Sequence, residues 1–127
     1  MTDQEFIGRF ERLEIPGTDF RHADHVRAAW ICLRNGGLAE GAARFVAAFR
    51  RYVEHLGATG KYHETITWAY LVLINERIAR AQGGTWEAFV RNNPDLLDPS
   101  MAIVRAKYGD ELVNLSWARE VFILPTR

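Results

Sequence analysis

"YHETITWAYLVLINERIARAQ", residues 62–82, is the stretch on which the fold turns. Between Ile66 and Ile74 it is apolar nearly all round, the pattern of a helix packed on several sides and not of one lying on a surface. A central helix over about Lys61–Gln82 is therefore expected, with the glycines at 83–84 ending it. Upstream, Leu38, Ala42, Phe45, Phe49, Tyr52, Val53 and Leu56 repeat at helical spacing while Arg44, Arg50, Arg51 and Glu54 fall opposite. That predicts a helix over about Leu38–Leu56, with Gly57 and Gly60 bracketing its exit. Before it, Val26, Ala29, Trp30 and Leu33 stripe a helix from about His22 to Asn35, stopped by "NGG" at 35–37. The chain opens with Thr2 or Asp3 as an N-cap for Phe6, Ile7, Phe10 and Leu13, and "EIPGTD" with Pro16 and Gly17 breaks that helix.

Downstream the punctuation is denser. Thr85 is read as the cap of "WEAFVRNN", closed by Pro94, and Asp98-Pro99 as the N-cap and first position of "PSMAIVRAKYG". Ser116 is read as the cap of "WAREVF", and "ILPTR" as an extended tail. Nothing alternates at the strand period, and no repeat or linker divides the chain. The expectation is one all-α domain over residues 1–127, an up-down bundle of four main helices with shorter C-terminal helices.

Composition narrows the function classes. The 127 residues are 48% hydrophobic and 25% charged, enough apolar material for a single sizeable core. Sixteen basic and sixteen acidic side chains cancel, so nucleic-acid binding, which draws on a basic excess, is not expected. The N-terminus lacks a signal-like apolar run and no segment reaches about 20 apolar residues, so a cytoplasmic protein without a membrane span is expected. The lone cysteine, Cys32, lies in a helix interior between Ile31 and Leu33 and reads as a buried, inert thiol. His55 reads as a C-terminal cation on its helix. Glu76 and Arg77 read as a solvated edge shared with Asn75 and Arg80. The four tryptophans read as core and interface anchors.

Chemistry concentrates in two stretches, "FRHADHVRAAW" from Phe20 and "GKYHETITWAY" from Gly60. Helices joined by short connections pack antiparallel, which brings the starts of the His22 helix and of the central helix to the same end. His22 and His25 are three apart and share a face that Val26 and Ala29 continue inward. Histidines near helix N-termini tend to stay neutral, the form that binds a divalent metal. His22, His25 and His63 are therefore candidate metal ligands, with His22 and His63 the principal pair, because the longer intervening helix pushes His63 roughly 7 Å along the axis at 1.5 Å per residue. Zinc, iron, copper and nickel all suit imidazole. Glu64, Thr67 and Tyr62 are the candidate catalytic groups. Thr67 shares the His63 face, and Glu64 is either an aimed carboxylate or a helix-start acid favouring the dipole. The plain alternative for each histidine is a local helix cap.

The stretches "FRHADHVRAAW", "KYHETITWAY" and "WAREVFILP" resemble a family of small, all-helical bacterial proteins with HxxH and YHET-like motifs, across residues 20–124. The resemblance implies a stand-alone domain and gives weight to His22, His25, His63, Glu64 and Thr67. It implies no substrate. Two functions follow from the residues. One is a histidine-lined metal or polar small-molecule site at one bundle end, hydrolase-like through metal-activated water. The other is a non-enzymatic small-molecule-binding or regulatory module, able to act as a homodimer, with the histidines over an apolar pocket lined by Trp30, Trp68 and Tyr70.

Overall fold

The computed structural model describes residues 1–81 and 84–125, and among these the chain is all helical, with no strand. Seven α-helices occur in the order α1 (Asp3–Glu11), α2 (His22–His55), α3 (Glu64–Ala81), α4 (Trp86–Asn92), α5 (Pro94–Leu97), α6 (Ala102–Tyr108) and α7 (Ser116–Glu120). Three 3-10 turns, Gly17–Asp19, Thr59–Lys61 and Asp110–Asn114, join them.

The expected second and third helices are one run folded on itself. Only Gly37 leaves helical dihedrals, at φ 76° and ψ −173°, a region open to glycine and closed to side chains. Residues 22–36 and 38–55 form the two arms. A Cβ on Gly41 would lie 2.5 Å from the Cys32 carbonyl oxygen and 2.8 Å from Leu33 Cα, so the backbones touch just past the bend. Farther out, the His25 ring lies 4.9 Å from Phe49, and Phe20, just ahead of the first arm, lies 4.8 Å from Tyr52. Contact positions rise along one arm as they fall along the other, as in an antiparallel hairpin.

α1 packs on this hairpin through Phe6, Ile7 and Phe10. The Phe10 ring stacks on Phe20 and Phe45, and the Tyr52 hydroxyl donates to the Ile15 carbonyl at 2.9 Å. Arg44 makes two 2.8 Å hydrogen bonds to the Glu11 carboxylate across the same contact. α1 ends before Leu13, sooner than its apolar spacing suggests. Leu13 takes φ 64°, its N–H bonds to Phe10 and the next N–H to Arg9, a Schellman closure with leucine in the place usually held by glycine.

α3 begins at Glu64, because Lys61 belongs to the preceding turn. Its expected end at Gln82-Gly83 lies outside the described residues. Val72 is 48% exposed, so the apolar character of the helix does not mean burial on every side. α3 packs chiefly on α2, and its remaining faces meet α5, α6 and α7. Glu76 is solvated and pairs loosely with Arg80. Arg77 departs from the expected edge: its side chain is only 20% exposed and forks onto Asp95, with a further bond to Asn93.

The C-terminal boundaries differ most. Thr85 does cap α4, accepting from the Ala88 N–H at 3.2 Å. Pro94 opens α5, where a missing N–H costs nothing, and does not simply close α4. Asp98 folds into a turn with Ser100 and caps no helix; α6 starts four residues later, after Met101 at φ 59°. Ser116 is the first residue of α7, with Leu115 at the cap position. Residues 122–125 carry no regular structure, and Thr126 and Arg127 lie outside the described residues. No described helix is long and apolar enough to cross a membrane. Cys32 is buried, and burial pushes its thiol up to about 11.

Candidate functional site

The hairpin and α3 do not close completely against each other. A cavity of about 480 Å³ lies between them, within the range of small-molecule sites. Phe45, Phe49, Tyr52 and Val53 of the second arm form one wall, and Val26 and Ala29 of the first arm another. Ile66, Leu71 and Ile74 of α3 face them, and Met101, Val113 and Arg119 of the C-terminal region complete the lining. The exposed lining residues Gly17, Leu56, Lys61 and Val113 mark a rim. As a sealed void, 480 Å³ would cost about 12 kcal/mol at ~24 cal/mol per Å³, as much as the whole stability of a small domain. A space this large persists only because it opens to solvent or a ligand.

His22, His25 and His63 all line this cavity, but each is held differently. His63 precedes α3 and caps it: Nδ1 accepts the Ile66 N–H at 3.2 Å, and the His63 carbonyl accepts the Thr67 N–H. Nδ1 is therefore unprotonated, and Nε2 donates toward the Leu112 carbonyl at 3.4 Å. Both nitrogens are engaged. Burial lowers its pKa, and the nearby Arg119 charge adds to that.

His22 opens α2. Its Nε2 donates to the Leu96 carbonyl at 3.0 Å, and its ring meets Tyr70 edge-on at 5.2 Å. Tyr70 lies two turns beyond His63 on α3. His25 sits edge-on between Phe20 and Phe49, at 4.5 and 4.9 Å. Its pKa falls to about 4, first through burial, then through the positive charges of His22 and Lys61; a hydrogen bond to the Arg21 backbone opposes this. His25 keeps some accessible surface because the cavity reaches it, while protein on every other side keeps it desolvated. Among the described residues no three His, Cys, Asp or Glu side chains are grouped closely enough to hold a metal ion.

The three other candidates separate. Thr67 lines the cavity one turn beyond His63. Tyr62 and Glu64 lie outside its lining, on the flank of α3: the Tyr62 hydroxyl donates a short hydrogen bond to Glu64, and the Arg50 guanidinium sits over the Tyr62 ring at 4.2 Å and 3.4 Å from the same carboxylate. Burial and that carboxylate push the Tyr62 phenol up to about 12, so it stays protonated. Of the aromatic residues expected around an apolar pocket only Tyr70 lines this one. Trp30 packs instead against Trp86 and Phe89. Trp68 is half-buried against the core.

Three groups that the sequence did not single out, Lys61, Arg119 and Thr65, shape the site together with Tyr70. Among the described residues Lys61 and Arg119 are its two charged lining residues, and no acidic side chain lines it. The Tyr70 hydroxyl is buried without a hydrogen-bond partner among the described residues, and burial pushes its pKa up to about 12. Thr65, fully buried, fixes the wall: its hydroxyl lies 2.8 Å from the Ala118 carbonyl and 3.0 Å from that of Val121, and accepts the Ile123 N–H. No family model matches the chain, and comparison with curated proteins and with solved structures finds no match either.

Proposed function

We propose that the chain is a small-molecule-binding domain whose ligand enters the cavity between the α2 hairpin and α3. One observation carries this reading: an apolar space of about 480 Å³, open at its rim, that the side chains of the hairpin and α3 leave unfilled. We read the framework around it as α1, the two arms of α2 and α3 in up-down order, with the short C-terminal helices as a wall. Neutral His25 on the lining supplies a hydrogen-bonding group without a buried charge.

Ala29, buried on the cavity wall, gives the test. Apolar probes such as naphthalene and octan-1-ol are expected to raise the melting temperature of the wild-type protein. Saturation at a hundred times Kd stabilises by about 2.7 kcal/mol. Ala29→Phe, which fills the space, is expected to abolish the shift. Absence of any shift in the wild type sinks the reading.

A metal centre on His22, His25 and His63 is the second reading, favoured by their presence on one cavity and by the lowered pKa values of His25 and His63. Its cost is specific. His63 must give up either the α3 cap or Leu112, and His22 must keep Nε2 on Leu96 and offer Nδ1. Metal content of tag-free protein compared with His22→Ala and His63→Ala decides it; stoichiometric metal lost in both variants supports the centre.

A further inference from the structure

Among the described residues the charges on the cavity lining are all of one sign. Lys61 and Arg119 line it, no carboxylate does, and neither cation forms a salt bridge among the described residues. They approach each other through the backbone: the Arg119 guanidinium lies 3.5 Å from the carbonyl of Tyr62, the residue after Lys61. Both therefore stand at the end of the cavity where α3 begins, and an 18-residue helix adds its positive pole there. Lys61 is exposed and Arg119 half-buried, so an anion bound between them keeps part of its hydration. Away from that end the lining carries no lysine or arginine among the described residues. A carboxylate placed there would lose its hydration with no opposite charge in return, at several kcal/mol.

Given the small-molecule reading above, the geometry points to an amphiphilic carboxylate as the ligand, its anion between Lys61 and Arg119 and its apolar body along the wall of Val26, Phe49, Ile66 and Leu71. Recognition is divided between two kinds of contact. The walls bind the hydrocarbon whatever its headgroup, and the rim selects the charge.

Titration calorimetry with octanoate, octan-1-ol and octylammonium, all below their aggregation limits, separates these terms. Octanoate is expected to bind about tenfold more tightly than octan-1-ol at low salt, which is 1.4 kcal/mol, the size of one charge-assisted contact in a half-exposed place. Octylammonium is expected to bind most weakly. Lys61→Gln combined with Arg119→Gln is expected to erase the preference for octanoate while octan-1-ol still binds, which also shows that the variant keeps its cavity. Octan-1-ol binding as tightly as octanoate, or a preference that survives in the double variant, overturns the carboxylate assignment and leaves the cavity reading standing. Binding of none of the three probes overturns both.

Discussion

Replacing His25 with phenylalanine should flatten the acid side of the stability curve. In the folded chain the imidazole is held to about 4 against its ordinary 6.5. Above pH 6.5 it is neutral in both states and contributes no pH dependence. As the pH falls through 6.5 the unfolded chain takes up a proton that the folded chain refuses until about 4, so stability is lost across that window and levels off below it. At 1.36 kcal/mol per unit the complete loss is about 3 kcal/mol, of which about 2 is gone by pH 5. Carboxylates such as Glu11, held low by Arg44, stabilise above their ordinary value of 4.5 and lose that contribution only at lower pH. His63 is also lowered and has the same sign as His25, and the variant retains it, so the difference between the two proteins isolates His25. Phenylalanine fits between Phe20 and Phe49, where aromatic edges already meet. Urea unfolding of both proteins at pH 7.5 and pH 5, with equal slopes, is the measurement. A variant that loses as much stability as the wild type refutes the burial argument, as does a His25 proton resonance that titrates near 6.5.

Gly41→Ala should destabilise by more than about 2 kcal/mol in a melt, the reverse of the roughly 1 kcal/mol gain usual for that change in a helix, because the added methyl meets backbone of the opposite arm. Thr65→Val should cost about 2 kcal/mol and speed hydrogen exchange at residues 116–123 more than in the hairpin, since it strips one hydroxyl from three backbone groups. Tyr70→Phe should raise the stability of the ligand-free protein by about 1 kcal/mol, as it deletes an unpartnered buried hydroxyl; a loss of stability would show that the hydroxyl has a partner in solution.

The long helices were legible because burial writes a period into the sequence. Phe45, Phe49, Tyr52 and Val53 lie on the cavity wall as their spacing implies. Gly37 was legible as a break, and only the structure shows that one residue suffices to reverse the chain. Short elements were read less well because one residue type serves opposite ends: Pro94 opens a helix, and Asp98 makes a turn in place of a cap. Leu13 and Met101 at positive φ carry no signal at all. At the site, topology brings the histidines to one cavity, while the partners of His22, His63 and Thr65 lie 49–74 residues away and are backbone carbonyls. A carbonyl has no letter in the sequence. Arg119 was unreadable for a related reason, since α7 reaches the rim only through that docking.

Those carbonyl attachments set how the protein can vary. His22, His63 and Thr65 hold Leu96, Leu112, Ala118 and Val121 through oxygens that every residue possesses. Attachment of the cavity's outer wall is thus encoded almost wholly on the helical side. The wall can change its side chains, and with them whatever faces the ligand, while staying in place. A saturation-mutagenesis scan read by folding should find positions 22, 63 and 65 narrow and exposed wall positions such as Val113 broad, an asymmetry suited to altering ligand preference on a fixed frame.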